Sequence, residues 1–149
     1  MFLTKYEGGY SDRKIGDNHY EISYRAFYGT HEDFIDLALI RSSQIAMENN
    51  KRYFSVLPKK IEVSWLGRNH YKTSLKHTLI VKLLDNDKST AETAFDTSAI
   101  CQILVKKRNL NHDPLPADID CGKEISMNLV EISEKKLSKL YKTISTKSD

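Results

Sequence analysis

The first clean pattern in the chain runs from Tyr20 to Phe27. Tyr20, Ile22, Tyr24 and Ala26 alternate with Glu21, Ser23 and Arg25. A two-residue period places the two sets on opposite sides of an extended segment, so this stretch predicts a half-buried strand. Gly29 and Thr30 end it. Thr30 reads as an N-cap, with Asp33 at the capping-box position and Glu32 in the first turn, and a helix opens there. To about Asn49 the period is helical. Ile35, Ala38, Leu39, Ser42, Ile45 and Ala46 share one stripe, roughly 120° wide at 3.6 residues per turn. Ala38, Ser42 and Ala46 are small enough for close packing on a sheet, and Asn49-Asn50 supplies a stop.

Extended patterns resume at Tyr53–Val56, where Pro58 marks an edge or a bulge. Ile61, Val63 and Trp65 alternate with Lys60, Glu62 and Ser64, and Gly67-Arg68-Asn69-His70 predicts a hairpin turn. Leu75, His77, Leu79, Val81 and Leu83 form the next face. Ile80 and Leu84 lie on the other side, so part of this strand is expected to be covered on both. A second helix begins after Asp96, its N-cap, with Phe95 and Ile100 as a hydrophobic staple. It runs to about Arg108, where Lys106-Lys107-Arg108 sits at the negative end of the helix dipole.

Asn109 to Gly122 has the composition of a linker and holds two of the three prolines. Beyond it, Glu124–Ile132 predicts a strand, and Ser133–Ile144 a helix with Leu137, Leu140, Tyr141 and Ile144 on one side. The fold class is therefore α+β. A small antiparallel sheet of three to four strands carries helices on one face, in the order β-α-β-β-α, followed by a C-terminal extension. The core domain spans residues 8–108 and the extension 109–149.

Composition narrows the function. With 149 residues and 40% hydrophobic content the chain can bury a real core. A net charge of +3, with signs interspersed, is too small to argue for a nucleic-acid partner. No run approaches the length of a membrane span. Cys101 lies in an apolar helical run, where a thiol acts as a small buried hydrophobe. Cys121 follows a Pro/Asp-rich loop. A bridge between the two requires an oxidising compartment, and the sequence leaves it open.

Candidate chemistry is sparse. The five histidines show no metal spacing, and His77 fits a packed strand position. The segment from Asp85 to Asp96 places Asp85, Asp87 and Ser89 as a calcium loop would. Thr90 stands where glycine is needed, and Asp96 where a bidentate glutamate is needed. No nucleophile elbow and no phosphate-binding glycine loop occur. No catalytic, metal or cofactor residue is assigned, and no cofactor is expected. Eight tyrosines, several of them between Tyr6 and Tyr28, offer an aromatic surface. Candidate interaction residues are Tyr10 and Tyr28 near the start, and Leu137 and Tyr141 on the C-terminal amphipathic helix.

The chain opens on a loose hook, Gly9-Tyr10-Ser11-Asp12, with a turn-like Ile15-Gly16-Asp17-Asn18 behind it. Ser11 or Asp12 can bond nearby backbone groups, and Arg41 is a candidate partner for Asp12 or Asp17. The hook, Tyr24-Arg25 on the first strand, Asp36, Leu39, Arg41 and Ser42-Ser43 on the helix, and Tyr53-Phe54 after it form a fairly specific block. It resembles a family of small bacterial cell-envelope lipoproteins of uncharacterised function. Ala94-Phe95-Asp96-Thr97 through Ile103-Leu104 resembles that family's last helix, and the resemblance covers roughly residues 8–105. It implies a non-enzymatic structural or interaction subunit on the periplasmic side of the outer membrane, within a larger envelope or secretion assembly. Its partners would be other envelope proteins or a second copy, with a membrane reached only through a lipid anchor and no nucleic acid. The alternative is a peptide- or glycan-binding module using the Tyr-rich surface. No basic n-region, apolar h-region or cleavage site precedes the hook, so the chain is expected to be seen without its signal peptide. Residues 109–149 have no counterpart in the family.

Overall fold

A computed structural model describes residues 9–26, 31–66, 71–85, 94–110 and 119–147. Among these described residues, five strands form a fully antiparallel sheet in the order β1-β2-β4-β3-β5. Its strands are β1 Gly9–Gly16, β2 His19–Ala26, β3 Tyr53–Leu66, β4 Tyr71–Leu84 and β5 Ala94–Asp96. The described residues also form three helices: α1 His31–Glu48, α2 Thr97–Leu110 and α3 Met127–Lys147. The α+β class with a small antiparallel sheet and helices is as the patterning predicts.

The register explains which face is buried. Ile22 pairs with Leu79 and Tyr24 with His77, while Phe54 faces Leu83 on one side and Phe95 on the other. These side chains are buried and lie on one face, against α1. Phe34 of α1 sits 6.0 Å from the Tyr24 ring and 5.1 Å from the His77 ring, so His77 is a packed residue. On the reverse face, Ser23 and Thr78 are cross-strand neighbours whose hydroxyls share a hydrogen bond of 3.2 Å. Ile80 and Leu84 on that side are half-buried.

Local chemistry sets the helix ends. Asp96 caps α2 by accepting the Ala99 N–H at 3.0 Å, and Phe95 and Ile100 are both buried as the staple requires. At the end of α1, Asn50 takes a left-handed φ of 56°. The Lys51 N–H reaches the Ala46 carbonyl at 2.8 Å and the Asn50 N–H reaches Met47 at 3.0 Å, the bond pair of a Schellman stop. The predicted cap at Thr30, the turn at residues 67–70 and the loop at 86–93 lie outside the described residues.

Three expectations need correction. The hook is not a loop. Residues 9–16 form the edge strand β1, joined to β2 through Asp17-Asn18, with Asn18 at a left-handed φ of 58°. Its Asp12 accepts a 2.6 Å hydrogen bond from Arg41 Nε, as the sequence suggested, and this pins the edge strand to α1. Second, the sheet has five strands rather than three to four, because β1 and the short β5 both join it. Third, Glu124–Ile132 is not a strand. Ser126 Oγ accepts the Leu129 N–H at 3.2 Å and starts α3, which continues the helical period through Leu137 and Leu140. In the stretch read as linker and C-terminal extension, α3 packs on the rest of the fold. Leu137 and Leu140 belong to the same hydrophobic cluster as Ile22, Leu39, Phe54 and Leu104. A fully buried leucine of this kind contributes roughly 1.5–3 kcal/mol.

α1 differs from a surface helix in one further respect. All seven residues from Phe34 to Ile40 are buried, along with Ser42, Ser43, Ile45 and Ala46. It packs against β2, β3 and β4 of the sheet and against both other helices. A helix buried nearly all round must find a partner for every polar group on it. That requirement creates the site described next.

Candidate functional site

The first turns of α1 carry Glu32, Asp33 and Asp36, and the last turn of α2 carries Lys107 and Arg108. Packing brings these ends together and α3 lays Tyr141 across them. Arg108 is 1% exposed as a side chain and places Nη1 2.7 Å from Asp33 Oδ1 and 3.9 Å from Asp36 Oδ2. Lys107 Nζ lies 2.8 Å from Asp36 Oδ2 and also pairs with Glu32. The Tyr141 hydroxyl donates to Asp36 Oδ1 and accepts from Lys107 Nζ at 3.1 Å. The Lys107 ammonium also stands 4.9 Å over the Tyr141 ring, a cation–π contact. Three helices thus share one polar knot centred on Asp36, whose side chain is 0% exposed.

Burial raises the Asp36 carboxyl above the usual carboxylate range, against the lowering effect of Lys107, Tyr141 and Arg108. Burial opposes the charge on Lys107, but its bonds to Asp36 and Glu32 prevail and its pKa is raised. Burial first, and then the Asp36 charge, push the Tyr141 phenol far up. At neutral pH the lysine therefore keeps its proton and so does the tyrosine. The knot offers neither a free base nor a nucleophile, and its central acid does not meet solvent. Its chemistry is that of a clasp on three helices.

Beside the knot, α2 and α3 leave a hollow of about 430 Å³ whose apolar lining includes Ile103, Leu110, Val130 and Leu137, and which Lys107 and Tyr141 also line. A second hollow, of about 420 Å³, lies at the start of α2 among Lys51, Arg52, Asp96 and Lys123. There the helix terminus is already served by Asp96, which also stands 3.5 Å from Arg52 Nε. Among the described residues, no group of three or more His, Cys, Asp or Glu side chains is placed to hold a metal ion. No described helix is long and apolar enough to cross a membrane.

Cys101 and Cys121 form a disulfide, with Cα atoms 5.4 Å apart. It fastens the middle of α2 to the segment leading into α3. The Gln102 amide bonds the Lys123 carbonyl just beyond. Gly122 turns with a φ of +84°, and a Cβ there would meet Ser98 Oγ at 2.8 Å.

The four candidate interaction residues fare differently. Leu137, at 5% exposure, is part of the chain's own core, and Tyr141 belongs to the polar knot, so both are used internally. Tyr10 lies on the edge strand β1 opposite Tyr24, and Tyr28 falls outside the described residues. Sequence reading missed the knot. The available signal was an acid, Asp36, inside the apolar run Phe34–Ile40, together with a basic pair on another helix.

Against this geometry the comparisons are short. No protein-family model, no curated protein and no solved structure matches the chain. The architecture defines an α+β protein with an open antiparallel sheet, and the reading of its role comes from its own residues.

Proposed function

We propose that this chain is a non-enzymatic structural or interaction subunit of the bacterial cell envelope, working on the oxidising, periplasmic side. The observation that carries the reading is the Cys101–Cys121 disulfide. Disulfides persist in secreted, periplasmic and surface proteins and are rare where thiols are kept reduced. The resemblance of the first two-thirds of the chain to small envelope lipoproteins points the same way. The buried charges support it too, since Asp36, Lys107, Arg108 and Tyr141 are spent on each other rather than turned towards a substrate. Three tyrosines that a glycan- or peptide-binding surface could use are engaged within the fold instead. Tyr24 is in the core, Tyr20 packs against it, and Tyr141 is held in the knot.

The test is made in intact bacteria that express the full chain from its own gene. Cells are treated with a membrane-impermeant amine cross-linker after the outer membrane alone has been made permeable. The reading expects the chain to be trapped in discrete species of higher mass. A chain that the reagent reaches only after the inner membrane is broken overturns it, and so does a chain that is reached but stays uncross-linked.

A further inference from the structure

The formal charge of the whole chain is +3. α3 alone carries five lysines against two glutamates, so this one helix accounts for the entire excess. The rest of the molecule is balanced. Such segregation is physically informative where an even scatter of charge is not.

The lysines are also placed. At 3.6 residues per turn, Lys135, Lys139 and Lys142 fall on one side of α3, directly opposite the buried Ser133, Leu137 and Leu140. All three are exposed. Lys136 is turned inward and donates to the Ala94 carbonyl at 2.6 Å, so it helps hold the helix in place. Ile132, 42% exposed, comes one turn before Lys135 and Lys136 and adds an apolar group to the outer side. Lys106 of α2 is exposed beside the same helix; Glu131 falls on the lysine side one turn before Lys135, and Glu134 lines the same hollow as Lys135, Lys139 and Lys142. Because the core clamps α3 through its opposite side, the lysine stripe is presented on a rigid support.

We propose that this lysine face of α3 docks the protein onto an anionic phospholipid surface. The choice of partner follows from residue type. The stripe holds no arginine and no exposed aromatic side chain, the groups that recognise individual phosphates in a fork or stack on nucleic-acid bases. Lysines are flexible point charges that suit the diffuse field of a charged bilayer, and their apolar stems and Ile132 can settle at the interface. The inference rests on charge placement and does not depend on the compartment assigned above.

The experiment is co-sedimentation of the full chain with vesicles of phosphatidylglycerol mixed with phosphatidylcholine, and with vesicles of phosphatidylcholine alone. The proposal expects binding to the first only, lost in high salt. Replacing Lys135→Gln, Lys139→Gln and Lys142→Gln together is expected to lower partitioning about a hundredfold. The triple Lys→Arg variant should keep it. These positions are exposed, and unchanged circular dichroism verifies that the variants fold. Failure to bind the anionic vesicles overturns the proposal, as does undiminished binding by the glutamine variant. Retention on immobilised polyglutamate without binding to vesicles also overturns it, and would point to an acidic protein partner instead.

Discussion

Arg108→Met is the most revealing single change, because methionine keeps much of the apolar stem and deletes only the charge. In the native protein the guanidinium stands 2.7 Å from Asp33 and 3.9 Å from Asp36. At an effective dielectric constant of about 20, those separations correspond to attractions of about 6 and about 4 kcal/mol. Taking a guanidinium out of water costs several kcal/mol, so the net loss is expected at about 3–5 kcal/mol, the usual cost of breaking a buried pair from one side. Urea unfolding followed by circular dichroism reads this as a midpoint lowered by about 2 M, for an m value of about 2 kcal/mol/M. The pH dependence separates charge from packing. The native pKa of Asp36 is raised by burial, and Arg108 is one of the charges that restrain the rise. A raised native pKa means the group's contribution to stability is full below the ordinary aspartate range and fades as pH rises through the raised value. Without Arg108 that rise is larger, so the variant's deficit should be widest near neutrality and narrow as the carboxyls protonate. A midpoint shift under about 0.5 M, or a deficit independent of pH, would refute the charge account of the knot.

Other outcomes follow from the same geometry. Replacing both Cys101 and Cys121 by alanine should cost about 3 kcal/mol of unfolding free energy by the loop-entropy estimate, for a bridge spanning 20 residues, as read in the same urea assay. Gly122→Ala should cost about 1–2 kcal/mol for the left-handed backbone alone, and adding Ser98→Ala should recover only the steric share, since Ser98 Oγ is the atom a Cβ would meet. The native pKa values of Lys107 and Tyr141 are both raised. Their contributions are therefore full below the ordinary values, about 10, and are lost as pH rises beyond them. Thermal melts should hold steady on this account from neutrality to that point and then fall. Ultraviolet titration should show Tyr141 ionising only as the protein unfolds, and the late step should be smaller by one tyrosine in the Tyr141→Phe variant.

Elements specified by neighbouring residues were legible in the sequence. Asp96 with Phe95 and Ile100 announced the start of α2, and Asn49-Asn50 its counterpart at the end of α1, because caps and staples act over a few residues. The faces of β2 and β4 were legible from their two-residue period. The edge strand β1 was not, since Ser11, Asp12, Arg13 and Lys14 show no apolar alternation. What holds it is the backbone ladder to β2 and the tie from Asp12 to Arg41. The start of α3 was misread because Ile125, Met127 and Leu129 alternate for too short a stretch to separate a strand from a helix. The polar knot depended on tertiary structure. Arg108 and Asp33 are 75 residues apart, and only the packing of α1 and α2 brings them together.

The placement of α3 joins these threads. The disulfide fastens the segment ahead of it, Leu137 and Leu140 seat it in the core, and Tyr141 locks it to Asp36. α3, in the stretch read as an extension, thus belongs to the packed fold. That packing also holds its charged outer face in a fixed orientation.

Acid quenching of the cells that naturally make this protein tests most directly whether it folds where Cys101 and Cys121 are joined. The chain is recovered under denaturing conditions without reductant, exposed to an alkylating reagent, and weighed intact. An unalkylated mass that accepts two adducts only after reduction is the predicted result. A chain that carries both adducts from the outset would contradict it.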